Sequence, residues 1–440
     1  MSRESAFWRW WDERLDLERA YRKYLRKAFP IHSTFFLGEI ALFAFLVLVL
    51  TGIYLAFLYE PSTAEVEIEG QRIPAAYGSV LLLDRIPAAY LMRQIHHWSA
   101  HVMVAALVLH LLRVFFTGAY KKPREINWIV GLGLLGLAIF AAFVGYLLPY
   151  DQFSVTATGI GYNIAKSVPW VGEYLADLVF AGKFPGSSLI PRFYGYHIML
   201  LPLLLFAGIG LHLVILVKQK HTEPPAARAY STGGRLIGIP LWPQQTVIMV
   251  VLALVLGGAL VLLGTVFPVH PVEFYGPPAP ETPTVKPDWY LMWIYGALRL
   301  VPGWMEVHLF GATIGSEAIG GILLPGLVIL GLALIPWLDR TNRAKLDYLE
   351  PPTWHPARLA WGVGFLALIG VFTLAAYDDE LGISKAWLRA AVVVVPLAAG
   401  WGAYGAARWR RRAEAGEGSL GLAPAGADYT DSRASKRRDA

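Results

Sequence analysis

Apolar residues along this chain gather into runs too long for a soluble core. Eight of them, at roughly 35–58, 90–116, 127–148, 195–217, 245–267, 312–337, 359–377 and 387–407, approach or reach the length of about 20 residues that a helix needs to cross a hydrocarbon layer. The pattern predicts an all-α integral membrane protein with eight transmembrane helices. Two long connections, 149–194 and 268–311, are rich in Pro, Gly and aromatic residues and are expected to pack against the membrane face.

Polar residues between the runs are unevenly charged. Basic residues crowd the first thirty positions, the connections after the second, fourth and sixth runs, and the segments "RWRRR" and "SKRR" near the end. Alternate connections are poorer in Lys and Arg, which places both termini on the cytoplasmic side. The stretch "FWRWWDERLDLERAYRKYLRKAF" mixes aromatic and charged residues at helical spacing, and reads as a surface helix on the cytoplasmic leaflet and not as a signal peptide.

Composition agrees. Charged residues make up 16% of the chain, against about 25% in soluble proteins. The net charge of +6 reads as topology and attraction to anionic lipid, and nucleic acid is not needed to explain it. Without cysteine the chain has no disulfide, no thiolate-held iron–sulfur cluster and no covalently attached haem.

The candidate chemistry is in the histidines, four of which lie in "RQIHHWSAHVMVAALVLHLLRV". His96 and His110 are 14 residues apart and share a helix face, whereas His97 and His101 point elsewhere. In the fourth run His197 and His212, 15 apart, again form one stripe. The two runs cross in the same direction, so His96 meets His197 at the outer level and His110 meets His212 at the inner level. Each pair supplies too few ligands for bare zinc but suits haem, which needs only two axial groups. Gly38 and Gly52 in the first run, and Gly131 and Gly145 in the third, repeat the spacing of 14, and glycine permits close approach to a flat ring. Arg93 and Arg113, one turn beyond the histidines, are candidate partners for haem propionates.

With these residues, "GYLLPYDQ" after the third run and "PDWY" before the sixth, the chain resembles the cytochrome b subunit of the quinol:cytochrome c (or plastocyanin) oxidoreductases over about residues 8–407. "HHWSAHVMV", "FTGAYKKPRE" and the 15-residue histidine spacing look closest to the photosynthetic branch, here as one continuous bacterial chain. Composition and the resemblance together divide the chain into a surface helix (1–30), a di-haem four-helix bundle (31–218), a cytoplasmic linker (219–243), a four-helix quinone-site domain (244–407) and a basic tail (408–440) whose Ala, Gly, Ser and charges read as disordered. It implies two non-covalent haems b, quinol and quinone as substrates, a Rieske iron–sulfur protein and a c-type cytochrome as partners, a dimeric complex, and the bacterial cytoplasmic membrane. Quinol oxidation would involve Asp288, Tyr290 and Tyr146 on the outer side.

The chain departs from the family in three places. Phe36 stands where the photosynthetic branch attaches an extra haem through cysteine. Asp288 replaces the glutamate of "PEWY", so it is read either as a helix N-cap or as the proton acceptor, which the surrounding motif favours. The region "LWPQQTV" has no counterpart of the inner-site acid of respiratory relatives, leaving Lys218, Lys220 and His221 as inner candidates or topological anchors. His97 and His101 are expected to contact loops or other subunits, and His270, His308 and His355 carry no spacing signal. Two other readings explain less. A transporter with histidine proton relays does not account for the matched glycines, and a di-haem dehydrogenase or hydrogenase anchor lacks the outer proline–acid–aromatic loop.

Overall fold

Each apolar run folds into one long helix in the computed structural model, which describes residues 6–229, 237–280 and 285–418. The eight spans are Phe36–Ala56, Pro87–Phe116, Glu125–Leu147, Leu189–Gln219, Leu241–Val266, Ser316–Leu338, Pro356–Ala375 and Lys385–Glu414. Their mean hydropathy runs from 1.6 to 2.9, yet at most 28% of any span's most apolar window is buried. Side chains such as Leu254, Trp361 and Trp401 are more than two-thirds exposed, which only lipid makes favourable. With backbone bonds satisfied within each helix, the spans need no partner in the hydrocarbon.

The boundaries differ from the sequence reading where polar structure intervenes. Val307–Leu309 and Ala312–Ile314 pair as an antiparallel hairpin, so the sixth span starts at Ser316. The eighth helix continues to Gly418, so the expected disordered tail begins as helix; 419–440 lie outside the described residues. The amphipathic N-terminal segment forms Ala6–Leu15 and Leu17–Ala20, broken where Asp16 takes a left-handed φ of 50°. Nothing in Ala6–Leu15 is buried, and Phe7 and Trp8 are exposed, as a helix awaiting a lipid surface requires.

The first four spans surround an apolar centre of Ala44, Phe45, Met103, Leu134, Ala138 and Leu205. The long connection after the third span is itself helical, Gln152–Lys166 and Gly172–Phe180, and roofs one end with Tyr150, Phe153 and Tyr162, which cluster with Phe193 of the fourth span. The side chain of Asp151 caps Gln152–Lys166, accepting from the Ser154 amide at 2.8 Å.

At the opposite, basic end the two halves of the chain are tied by buried ions. Lys121 donates to Glu350 at 2.8 Å, Arg358 donates to the same carboxylate at 2.7 Å, and Tyr120 donates to Asp339 at 2.6 Å. Between the ends, the Trp98 indole donates to the Phe267 carbonyl at 2.9 Å, holding the second span to the chain leaving the fifth.

Candidate functional site

Two cavities lie in the four-helix bundle, one on each side of its apolar centre. The cavity toward the basic end, about 390 Å³, is lined by His110, His212, Gly38, Gly131 and Arg113. The other, about 410 Å³, is lined by His96, His197, Gly52, Gly145 and Arg93, and also by Tyr146, Asp288 and Tyr290. The histidine pairing expected from spacing is therefore the pairing found, and the three expected quinol-site residues line the same cavity as the His96/His197 pair.

The glycines are specific to their histidines. A Cβ on Gly145 would stand 2.5 Å from the His197 ring, one on Gly52 3.2 Å from His96, one on Gly131 3.5 Å from His212 and one on Gly38 3.6 Å from His110. Each glycine thus clears a facing imidazole. At Gly145 no side chain fits.

The His96 and His197 rings stand 6.1 Å apart, centroid to centroid. Two metal–nitrogen bonds of about 2 Å each, together with the half-rings, fill such a gap. Their Nδ1 atoms are already engaged: that of His96 with the Thr51 hydroxyl at 2.9 Å, that of His197 with the Ala141 carbonyl at 3.0 Å. This leaves both Nε2 lone pairs free, the arrangement of metal-bound histidine. At the other pair, His110 Nδ1 is buried without a partner, and that of His212 faces the Asn127 carbonyl without a well-formed bond. Arg113 bonds Thr34 at 3.4 Å and covers the Phe35 ring, but its Nη2 is buried and unpartnered, as a cation awaiting a carboxylate would be. These features fit haem. Arg93 fits less well, since Asp84 already holds its guanidinium at 2.7 and 2.5 Å.

Asp288 is no helix cap. The helix Met292–Leu300 starts after it, with Leu291 at the cap position and no side-chain cap bond. The Asp288 carboxylate instead accepts from the Tyr290 hydroxyl at 2.8 Å. Burial, then the neighbouring Asp288 charge, pushes the Tyr290 pKa upward, so the phenol stays a donor. Tyr146 is buried beside this pair.

The chain matches the family described as cytochrome b(N-terminal)/b6/petB over residues 101–277, and cytochrome b(C-terminal)/b6/petD over residues 278–378. It belongs to the cytochrome b family. It is 34% identical over 383 residues to the cytochrome bc1 complex cytochrome b subunit of Streptomyces coelicolor, covering 84% of this chain and 70% of that protein. With the subunit of the same name from Mycobacterium tuberculosis (H37Rv) it shares 35% over 411 residues, covering 88% and 73%. A solved structure titled hyperthermophilic respiratory Complex III shares the fold, with a TM-score of 0.66 at 24% identity over 90% of this chain and 99% of that one. Membership implies that this cytochrome b carries haem b.

Some residues of the site were not legible. His97 and His101 do contact a loop, as expected, but that loop is the one carrying Asp288, and both rings line the cavity beside it. His270 donates from Nε2 to the buried Asp151 carboxylate at 2.6 Å and stacks on Tyr275, joining the two long connections under the cavity. Glu39, on the first turn of the first span, supplies an acid in the cavity at the basic end that "LWPQQTV" did not reveal. His221 lies in the same cavity and is pushed down to about 4, by burial and then by Arg124, Lys27 and Arg113.

Proposed function

We propose that this cytochrome b is the catalytic membrane subunit of a quinol:cytochrome c oxidoreductase, oxidising quinol in the cavity shared by His96, His197, Asp288 and Tyr290. That shared cavity carries the reading. A quinol there must give up protons as it gives up electrons, and Asp288 is the acceptor, with Tyr290 holding the carboxylate in place. Tyr146 closes the apolar side and excludes water.

His96 and His197 would hold one haem b and His110 and His212 the other, with Arg113 facing a propionate of the second. When bound, these groups supply one-electron carriers on the two sides of the bilayer. One electron of each quinol leaves to a Rieske iron–sulfur partner and then a c-type cytochrome, and the other serves quinone reduction in the cavity at the basic end. There Glu39 is the acid placed to pass protons, with His32 and His221 lining the same cavity. Proton release on one side and uptake on the other make the cycle proton-translocating.

The basic end is the cytoplasmic one, with both termini on that side of a bacterial cytoplasmic membrane, and the complex is a homodimer. In this reading residues 31–218 would hold the haems and 244–407 would complete the quinol site. A di-haem anchor that never divides its electrons has no use for the Asp288–Tyr290 pair. The test is rapid-mixing reduction of the b haems by quinol in the purified complex, with and without the Rieske protein. Dependence of that reduction on the Rieske partner supports the reading, and independence contradicts it.

A further inference from the structure

Reducing a quinone to quinol consumes two electrons and two protons, so the cavity at the basic end needs a proton donor. Among the described residues lining it, Glu39 is the only carboxylate. Tyr120 lines it too, but gives its proton to Asp339 at 2.6 Å. Arg113 and Arg124 stay charged. His221, pushed down to about 4 by burial and by Arg124, Lys27 and Arg113, holds no extra proton near pH 7. The Glu39 carboxylate accepts from its own backbone amide, and Arg113 acts on it through space and not through a hydrogen bond. No bonded cation fixes it as an anion, which leaves it free to exchange a proton.

Glu39 lies inside the first span, which begins at Phe36. His32 comes before that span, is half-buried and lines the same cavity. Its Nδ1 caps the turn Ser33–Phe35, accepting from the Thr34 amide at 3.3 Å. An amide can only donate, so Nδ1 presents its lone pair and the Thr34 hydroxyl also donates to it, across 2.7 Å. Arg113 donates to that hydroxyl in turn, at 3.4 Å.

A proton arriving at Nδ1 displaces both Thr34 bonds. Burial, and then Arg113, likewise lower His32 below its ordinary 6.5, so the ring is neutral near pH 7 and sheds a proton instead of keeping it. The titratable or charged groups sharing the cavity are Glu39 of the first span, Arg113 of the second, Tyr120 and Arg124 of the connection that follows, and His221 beyond the fourth. Of these, Glu39 is the one able to receive what His32 sheds.

We propose that Glu39 is the proton donor to quinone in the basic-end cavity, and that His32 is the port through which the cytoplasm recharges it. Glu39 gives its proton to a quinone oxygen as the quinone gains an electron, and is left as a carboxylate. His32 takes a proton from the cytoplasm and releases it to that carboxylate. Two such rounds supply both protons of the quinol. The proposal rests on this cavity being where quinone is reduced, with electrons arriving by the transfer proposed above.

The test uses the purified complex carrying Asp288→Asn, which silences the outer cavity, alone and combined with Glu39→Gln, Glu39→Asp or His32→Asn. Asparagine keeps a cap acceptor for the Thr34 amide. An unchanged haem spectrum certifies that each variant is folded. The b haems are reduced, quinone is mixed in, and their re-oxidation is followed. Glu39→Gln should slow it by about 10²–10⁴-fold, and Glu39→Asp should retain most of the rate. His32→Asn should slow it too, and imidazole in the medium should restore it. In redox-induced infrared difference spectra of the quinone-loaded complex, a carboxyl band should vanish in Glu39→Gln and persist in His32→Asn. Re-oxidation and carboxyl band both indifferent to Glu39→Gln overturn the donor. A His32→Asn rate that is unchanged, or that imidazole does not restore, overturns the port. No re-oxidation with Asp288→Asn alone overturns the reading of the cavity itself, an outcome distinct from the other two.

Discussion

Thr51 fixes the tautomer of His96. The threonine hydroxyl gives its only proton to the Val47 carbonyl at 2.7 Å, so across the 2.9 Å contact with His96 the Nδ1 must be the donor. The proton is thereby kept off Nε2, the nitrogen aimed at His197. No such partner exists for His110 Nδ1, so the two ligand pairs are chemically unequal. A hydrogen-bonded imidazole is the stronger electron donor and favours the oxidised metal.

If His96 and His197 hold one haem and His110 and His212 the other, replacing Thr51 with Val should therefore raise the midpoint potential of the first and leave the second unchanged. A net hydrogen bond of about 1 kcal/mol corresponds to a shift of up to about 40 mV for one electron. Redox titration of the two b-haem absorbances checks this.

Adding one methyl group at each glycine should give a graded series. Gly145→Ala puts Cβ 2.5 Å from His197 and should cost about 1–3 kcal/mol with loss of the neighbouring haem. Gly52→Ala, at 3.2 Å, should be milder, and Gly38→Ala and Gly131→Ala, at 3.6 and 3.5 Å, should be tolerated. Gly133→Ala, with nothing within 4 Å, is the control. Haem content and thermal unfolding of the detergent-solubilised protein rank the four.

Asp288→Asn keeps the shape and removes the base. Quinol oxidation should fall by about 10²–10⁴-fold with haem content unchanged, measured as steady-state cytochrome c reduction. Asp288→Glu should retain substantial activity.

Much of this arrangement could be read from spacing, because a helix converts residue number into direction. Separations of 14 and 15 place His96 with His110 and His197 with His212, and both glycine pairs repeat the 14. What spacing does not give is the identity of the neighbour. His97 and His101 lie off the stripe that His96 and His110 share, and the face they present is met by Asp288, nearly two hundred residues away, which only the folded loop shows. Arg93 lines the cavity beside His96, but Asp84, nine residues earlier, folds back to pair with its guanidinium, a contact spacing alone does not show. Glu39 escaped notice because a single acid in the first turn of a span reads as a helix-end charge. Asp288 carries an N-cap signature, yet the helix begins too late for it to cap.

Breaking the buried ions at the basic end should unfold the junction between the halves. Burial alone would raise the Glu350 pKa, but bonds from His355, Lys121 and Arg358 hold it well below the ordinary carboxylate range. A carboxylate so depressed stabilises the fold fully above its unfolded value of 4.5, and that stability is lost progressively as pH falls from there toward the depressed native value. Glu350→Gln leaves Lys121, only 2% exposed, with Asp339 at 3.9 Å as its remaining carboxylate, and should cost about 3–5 kcal/mol near neutral pH. Thermal unfolding of wild type and variant at pH 7 and pH 4 checks both statements, the difference between them narrowing at the lower pH.

The central claim is that two histidine pairs hold two haems, and it is tested most directly by counting them. A pyridine haemochrome assay and a dithionite-reduced-minus-oxidised spectrum on purified wild type and His110→Leu would settle the count. Two haems b per chain, with one spectral component lost in the variant and the other retained, is the predicted result. No haem b, or an unchanged spectrum in His110→Leu, would contradict it.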